Sequence, residues 1–369
     1  MTDHQTTAFA IDTKPPAVGF PSASDTIDLR SDTVTLPTQR MYDAMATARL
    51  GDDMRERDPT VVELERLAAL KTGTEDALFV ASGTMGNLVS VLAHTGRGSE
   101  LLCDPHAHIA RSELGGFAQV AGLFHRFYKA ERGVPDLADL ETTLRAKPTA
   151  GALATGVVCV ETSHNHAGGL VIPLGRLAEI SALTRDRKIP LHIDGARLFN
   201  AAVALQVPAS EIVRHADSVT FCLSKGLSAP VGSMVCGSAE FIGRARLFRR
   251  MIGGAMRQAG VIAAAGIVAL DEMVHQLAED HRRTAAIAAG LSGIDSALIK
   301  LDEVETNILM MHVGHTGRSV TQWIGAMAAE GINLRGYGPN RLRLVIHRHI
   351  DDAAVDRIVG AVRLLCKAA

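Results

Sequence analysis

Two neighbouring stretches decide the fold: Pro190-Leu191-His192-Ile193-Asp194-Gly195-Ala196-Arg197-Leu198-Phe199-Asn200-Ala201-Ala202-Val203 and Asp217-Ser218-Val219-Thr220-Phe221-Cys222-Leu223-Ser224-Lys225-Gly226. In each, a short apolar run stops abruptly at charged chemistry. Residues 191–193 run into Asp194-Gly195-Ala196-Arg197, and residues 219–223 run into Ser224-Lys225-Gly226. Runs of this length, rich in β-branched residues and bounded by Gly and Pro, predict buried parallel strands. In an open α/β sheet, functional groups collect at the carboxyl ends of the strands. Asp194, Arg197 and Lys225 are therefore expected in one crevice.

The three side chains have a joint chemical logic. A partly desolvated lysine at a strand end can carry a depressed pKa and form a Schiff base with an aldehyde. A nearby aspartate keeps a pyridine nitrogen protonated, which turns the ring into an electron sink. An arginine three residues after it can fork onto a carboxylate. Together they suit pyridoxal phosphate and an amino acid. The alternative is a structural Asp194–Arg197 ion pair, with Lys225 solvated in a loop.

The 369 residues suffice for one large domain and a smaller one. Hydrophobic residues make up 47% of the chain but aromatics only 4%, so the core is aliphatic. With 38 basic against 40 acidic residues the formal charge is -2, which gives no field for gathering nucleic acid. No polybasic tract suits a membrane surface, and the longest apolar run, residues 259–270, is too short to span a bilayer. The five cysteines (Cys103, Cys159, Cys222, Cys236 and Cys366) form no CxxC pair. Four fall in apolar stretches, as small buried hydrophobes do in a reducing compartment, so the expected location is cytoplasmic. Residues 1–24 are polar and lack the basic start and apolar core of a secretory signal; residues 1–26 read as a flexible extension.

Elements alternate along the chain. Thr38 is placed to cap a helix to about residue 48, and Thr60 to cap one over residues 61–70. The charged segment 51–60 between them reads as a solvated loop. A strand at 77–81 enters Ser82-Gly83-Thr84-Met85-Gly86-Asn87 and then a helix. Such a turn offers free backbone N–H groups to an anion, and the Ser82 and Thr84 hydroxyls add donors for a phosphate. It fits neither a dinucleotide fingerprint nor a nucleotide P-loop. A strand at 100–103 leads into Asp104-Pro105-His106-Ala107-His108. Without Cys or Asp ligands at metal spacing, these histidines suit a ring stacked on an aromatic cofactor better than a metal. A strand at 156–160, a helix at 174–187, a strand at 231–237 and a helix at 239–252 complete a large α/β domain over residues 27–270. Residues 271–369 alternate a long polar helix, short strands at 297–301, 307–313 and 341–346, and two further helices, as a smaller C-terminal α/β domain.

In sequence order, Ile27-Asp28-Leu29-Arg30-Ser31-Asp32-Thr33-Val34-Thr35, Gly51-Asp52-Asp53 with Asp58-Pro59-Thr60, Ser82-Gly83-Thr84, His192-Ile193-Asp194-Gly195-Ala196-Arg197, Leu223-Ser224-Lys225-Gly226 and Met256-Arg257-Gln258 resemble the threonine aldolase family, within the fold type I pyridoxal-phosphate enzymes. The resemblance runs from Ile27 to the end, densest through Gly260. It implies a mainly parallel sheet flanked by helices, a smaller C-terminal domain, and a homotetramer (a dimer of dimers) with sites at a subunit interface. It implies cleavage of an L-threonine or L-allo-threonine type β-hydroxy-α-amino acid to glycine and an aldehyde. The alternatives are a β-eliminating lyase or aminotransferase that uses the same cofactor, and a cofactor-free scaffold that keeps the fold.

Carried across by position, Lys225 would hold the cofactor and Asp194 would pair with its ring nitrogen. Ser82, Gly83 and Thr84 would cradle the phosphate, with Arg257 reaching a phosphate in the neighbouring subunit. His108 would lie on the ring face and act as the base, or order a water that does. Ser31, Arg197 and Arg343 would hold the substrate carboxylate, with Arg341 a competitor one strand period from Arg343. The chain departs from the family pattern at Arg55, where a tyrosine is usual, at Ser112, and in residues 147–152, which lack a histidine that some members have. An arginine at position 55 would favour an acidic side chain on the substrate.

Overall fold

The computed structural model describes residues 26–367, so the extension expected over residues 1–26 lies, but for its last residue, outside them. In chain order the strands are β1 (Ile27–Asp28), β2 (Asp76–Val80), β3 (Glu100–Cys103), β4 (Phe124–Phe127), β5 (Ala130–Glu131), β6 (Val134–Pro135), β7 (Thr155–Glu161), β8 (Leu191–Asp194), β9 (Ser218–Cys222), β10 (Ser233–Gly237), β11 (Ile308–His312), β12 (Ile332–Asn333), β13 (Arg335–Gly336) and β14 (Arg341–Val345). Seven of them build the main sheet, in the order β2-β10-β9-β8-β7-β3-β4. Pairings from β9 across to β4 are all parallel, and only β10 runs against its two neighbours. The sheet is thus mainly parallel, as the sequence implies.

Residues of β8 and β9 are buried on both faces, which requires a helical layer on each. Side-chain alternation along β2 supplies both layers. Ala77 and Phe79 join the large cluster with the helices Pro59–Thr72, Leu174–Asp186 and Gly260–Val268. Leu78 and Val80 face the other way, onto Val89 and Phe241 of the helices Gly83–His94 and Ala239–Met251.

Thr38 caps the helix Gln39–Ala46 as expected, accepting from the Met41 N–H. The next cap differs from expectation. Asp58, not Thr60, starts the helix Pro59–Thr72, because Pro59 takes the first helical position, where its missing N–H costs nothing. Asp58 accepts from the N–H groups of Thr60 and Val61 and, on its other oxygen, from those of Gly51 and Gly260. Segment 51–60 is accordingly only partly solvated. Asp53 and Asp58 are buried, and Asp53 pairs with the buried Arg249 at 2.8 Å.

A second core surrounds the antiparallel sheet β11-β14-β13, with Trp323, Leu342 and Ile358 fully buried. The N-terminal arm enters this core. Ile27 and Leu29 are buried in it, and β1 pairs in parallel with β12. The helix Leu277–Ser292 ties the two cores together, since Leu277 belongs to the first and Ile287 and Leu291 to the second. The strand expected at 297–301 does not form; Leu298 and Ile299 are buried without pairing, and a 3-10 turn follows at Leu301–Glu303. Among the described residues no single helix is long and apolar enough to cross a membrane.

Candidate active site

The carboxyl ends of β7, β8 and β9 deliver Glu161, Asp194 and the loop that carries Lys225 to one side of the sheet. There a cleft of about 290 Å³ is lined by Ser31, His108, Glu161, Arg197, Lys225 and Arg343, among others. Residues scattered over three hundred positions therefore meet, as the strand-end argument predicts. A larger cavity of about 750 Å³, between the β5–β6 hairpin and Glu305, holds none of them.

At one end of the site, Ser82 caps the helix Gly83–His94. Its Oγ accepts from the Met85 N–H, which leaves the hydroxyl hydrogen available to donate. The close approach of this helix to β9 depends on glycine. A Cβ on Gly83 would stand 2.9 Å from Cys222 Sγ, and one on Gly86 2.5 Å from Thr220 Cγ2. The bare backbone at Gly83, flanked by the exposed hydroxyl residues Ser82 and Thr84, is a cradle of the kind a phosphate fills. Asp194 is buried under the site, where its oxygens accept from the Ala196 N–H at 3.1 Å and from Asn87 Nδ2 at 2.8 Å. A buried carboxylate, a cleft lysine and an anion cradle together match the donor set that pyridoxal phosphate requires.

At the other end, Arg197 makes a bidentate fork to Asp32, with both hydrogen bonds at 2.7 Å. The structural alternative for Arg197 thus names the wrong partner: its ion pair is with Asp32, not with Asp194. The fork uses Nε and Nη2, so Nη1 is the nitrogen left for another acceptor. Burial pushes the Asp32 carboxyl up, but the Arg197 guanidinium outweighs it and holds the group well below the usual carboxylate range. Arg343, from β14, donates to Asn165 Oδ1 at 2.7 Å and to the Arg30 carbonyl at 3.1 Å. Arg343 lines the cleft and Arg341 does not. Ser31 also lines it and begins the turn that positions Asp32. Thr35 then donates to the Lys225 carbonyl, tying the arm to the lysine loop.

His108 begins a short helix just beyond β3 and is one-third exposed to the cleft. Its ring Nδ1 is 2.7 Å from Oε1 of Glu113, a buried carboxylate that also accepts from Asn87 Nδ2. The hydrogen bond to Glu113 raises the pKa of His108, and burial raises that of Glu113. Glu161, also buried, accepts from the backbone N–H groups of His108 and Asn165. Sequence reasoning assigned no role to Glu113, Asn87, Glu161 or Asp32. Asp32 and Asn87 stand in stretches it quoted, but nothing in their spacing announces the partner. Donor atoms of His108, Glu113 and Asp194 lie within 4.8 Å of one another, and hydrogen bonds already link all three through Asn87.

Of the expected residues, Asp194, Ser82, Gly83 and Thr84 do not line this cleft, and Arg257 and Arg55 stand on the surface. Arg257 is 65% exposed and 3.5 Å from Asp52. Arg55 is 86% exposed and 3.9 Å from the same carboxylate. Arg55 therefore does not line this cleft.

The family model described as beta-eliminating lyase matches residues 28–314. Low-specificity L-threonine aldolase 1 of Arabidopsis thaliana is 40% identical over 333 residues, 89% of this chain and 93% of that protein. The threonine aldolase of Leishmania major shares the fold with a TM-score of 0.77 at 18% identity, over 92% of this chain and 99% of its own. A variant of serine palmitoyltransferase from S. paucimobilis, solved with a bound pyridoxal phosphate–myriocin aldimine, shares the fold with a TM-score of 0.72 at 17% identity, over 93% and 88% of the two chains.

Proposed function

The chain belongs to the beta-eliminating lyase family, and from that premise we propose a pyridoxal-phosphate-dependent aldolase that cleaves L-threonine and L-allo-threonine type β-hydroxy-α-amino acids to glycine and an aldehyde. The observation that carries this reading is the meeting of Lys225, Arg197, Arg343 and His108 around one cleft, with Asp194 buried close to His108.

Bound there, the cofactor supplies the electron sink that lets a Cα–Cβ bond break. Lys225 would hold it, Asp194 would keep its ring nitrogen charged, and Ser82, Gly83 and Thr84 would hold its phosphate. Ser31, Arg343 and the open Nη1 of Arg197 orient the substrate carboxylate, and so fix which bond to Cα is set to break. His108, which lines the cleft, would take the β-hydroxyl proton at Nε2, or order a water that does. Its other nitrogen stays on Glu113, which stabilises the imidazolium so formed.

Arg257 stands on the surface, outside its own cleft, which supports a role toward a neighbouring subunit's phosphate in a homotetramer built as a dimer of dimers. Five cysteines without a disulfide support a cytoplasmic location. The family description itself favours a second reading, β-elimination, and products separate the two. Purified holoenzyme given L-threonine or L-allo-threonine is expected to release glycine and acetaldehyde in equal amounts. Release of 2-oxobutanoate and ammonia instead would replace the aldolase reading with a β-eliminating one. Lys225→Ala is expected to lower turnover by at least about a thousandfold, as loss of a covalent catalytic group does.

A further inference from the structure

The cleft carries more positive charge than the single carboxylate of an ordinary α-amino acid needs. β13 and β14 pair antiparallel with Arg335 directly opposite Arg343, and both side chains line the cleft. Like charges at facing cross-strand positions oppose pairing. The strain registers at Arg343, whose guanidinium is pushed down to about 10 by its burial and by the neighbouring charges of Arg197 and Arg335.

The acidic groups nearby are already engaged. Asp32 is held by Arg197, and the oxygens of Glu161 accept from backbone N–H groups. Among the described residues the Arg335 side chain makes neither a hydrogen bond nor an ion pair. Beside it, Tyr337 also lines the cleft. Its hydroxyl lies 3.2 Å from His166 Nδ1, and its ring lies 5.8 and 5.5 Å from the Arg341 and Arg343 guanidinium carbons. His166 is in turn stacked on His106 at 4.4 Å. Burial pushes the pKa of His166 down to about 4, so at neutral pH an uncharged imidazole backs Tyr337, and the wall offers a phenol beside one unpaired guanidinium.

We propose that Arg335 and Tyr337 form a second anion subsite, so that this cleft takes β-hydroxy-α-amino dicarboxylates: the α-carboxylate on Arg197 and Arg343, the β-carboxylate on Arg335. The inference rests on the aldolase reading and deepens it. Arg335 lines the cleft, as Arg55 does not, and supplies an acidic preference there. The shortest such substrate is 3-hydroxyaspartate. Its β-hydroxyl loses a proton to the base, the Cα–Cβ bond breaks with its electron pair going to Cα, and Cα then takes a proton. The products are glycine and glyoxylate, with all atoms accounted for and no oxidant or reductant required.

The test compares kcat/KM for 3-hydroxyaspartate and for its neutral isostere 3-hydroxyasparagine, using holoenzyme of the natural sequence and the variants Arg335→Gln and Arg335→Lys. The acid-to-amide ratio is expected to fall about 10–100-fold in Arg335→Gln, the range for a hydrogen bond to a charged group, and to recover in part in Arg335→Lys. Taking a ratio cancels any general loss of folding or cofactor. A ratio unmoved by Arg335→Gln overturns the subsite. So does a natural enzyme that cleaves L-threonine and the amide but not the acid. Failure to cleave any of the three, L-threonine included, overturns the aldolase reading and this inference with it.

Discussion

At the scale of single residues, the chemistry of His108 depends on how many hydrogens one amide has to give. Asn87 Nδ2 is 2.8 Å from both Glu113 Oε1 and Asp194 Oδ2, so both of its hydrogens are committed. Its Oδ1 can then only accept, from His192 Nε2 at 3.1 Å. That leaves His192 Nδ1 to accept from Ser218 Oγ at 2.8 Å, and Ser218 to accept from His94 Nε2 at 2.7 Å. Every direction in this buried chain is fixed, and it ends on two acceptor carboxylates. Glu113 therefore receives the Nδ1 hydrogen of His108 and leaves Nε2 as the basic nitrogen. Replacing Glu113→Gln removes the carboxylate that raises the His108 pKa. With His108 as the proposed base, the acid limb of kcat/KM is then expected to move to lower pH while kcat falls about 10–100-fold. An acid limb that stays in place would reduce Glu113 to a structural role. Lys225, Asp194 and Arg197 were legible from the sequence because each follows the end of a strand. Glu113 was not, because its partners Asn87 and, through it, Asp194 lie on other elements that only the folded sheet brings together.

At the scale of elements, one carboxylate and one glycine show how tightly the helices are fitted to the sheet. Asp58 caps the helix Pro59–Thr72 and also satisfies the N–H groups of Gly51 and Gly260, so it binds three segments at one point. Asp58→Ala is expected to destabilise the fold by about 2–4 kcal/mol in urea denaturation, the cost of a cap plus buried N–H groups left unpaired. A loss under about 1 kcal/mol would mean that water replaces the carboxylate. Pro59 marked this helix start in the sequence, and the reading that chose Thr60 passed over that signal. At Gly86 a methyl group would meet Thr220 at 2.5 Å, so Gly86→Ala is expected to cost about 1–3 kcal/mol through overpacking, measured the same way. The long buried strands were legible from their apolar runs. The short strands β12 and β13 carry no period that two residues can display, and they exist only because β1 and β14 offer them edges.

At the scale of the whole molecule, the helix that joins the two cores contains a misfit. Asp280 is fully buried, and neither of its carboxylate oxygens has a hydrogen-bond partner among the described residues. Burial raises its pKa to about 7. Between the ordinary value of 3.8 and about 7, the folded chain keeps a proton that the unfolded chain releases, so this group's stability is complete below about 4 and is lost as pH rises through 7. Asp280→Asn is therefore expected to raise the melting temperature at pH 8, by on the order of 1–3 kcal/mol of stability, with the gain shrinking toward pH 4. A gain equal at both pH values would exclude the titration. The N-terminal arm has a different consequence. Ile27 and Leu29 lie in the second core, Ser31 and Thr33 line the cleft, and Thr35 grips the loop of Lys225. The partner of β1 is β12, roughly three hundred residues further along, a closure that local structure cannot hasten. During synthesis Lys225 leaves the ribosome well before β12, when the part of its cleft supplied by Arg335, Tyr337 and Arg343 is still to come. Completion of the cleft is thus a late event in biogenesis, and a nascent chain stalled short of β12 still lacks these three residues from its lining.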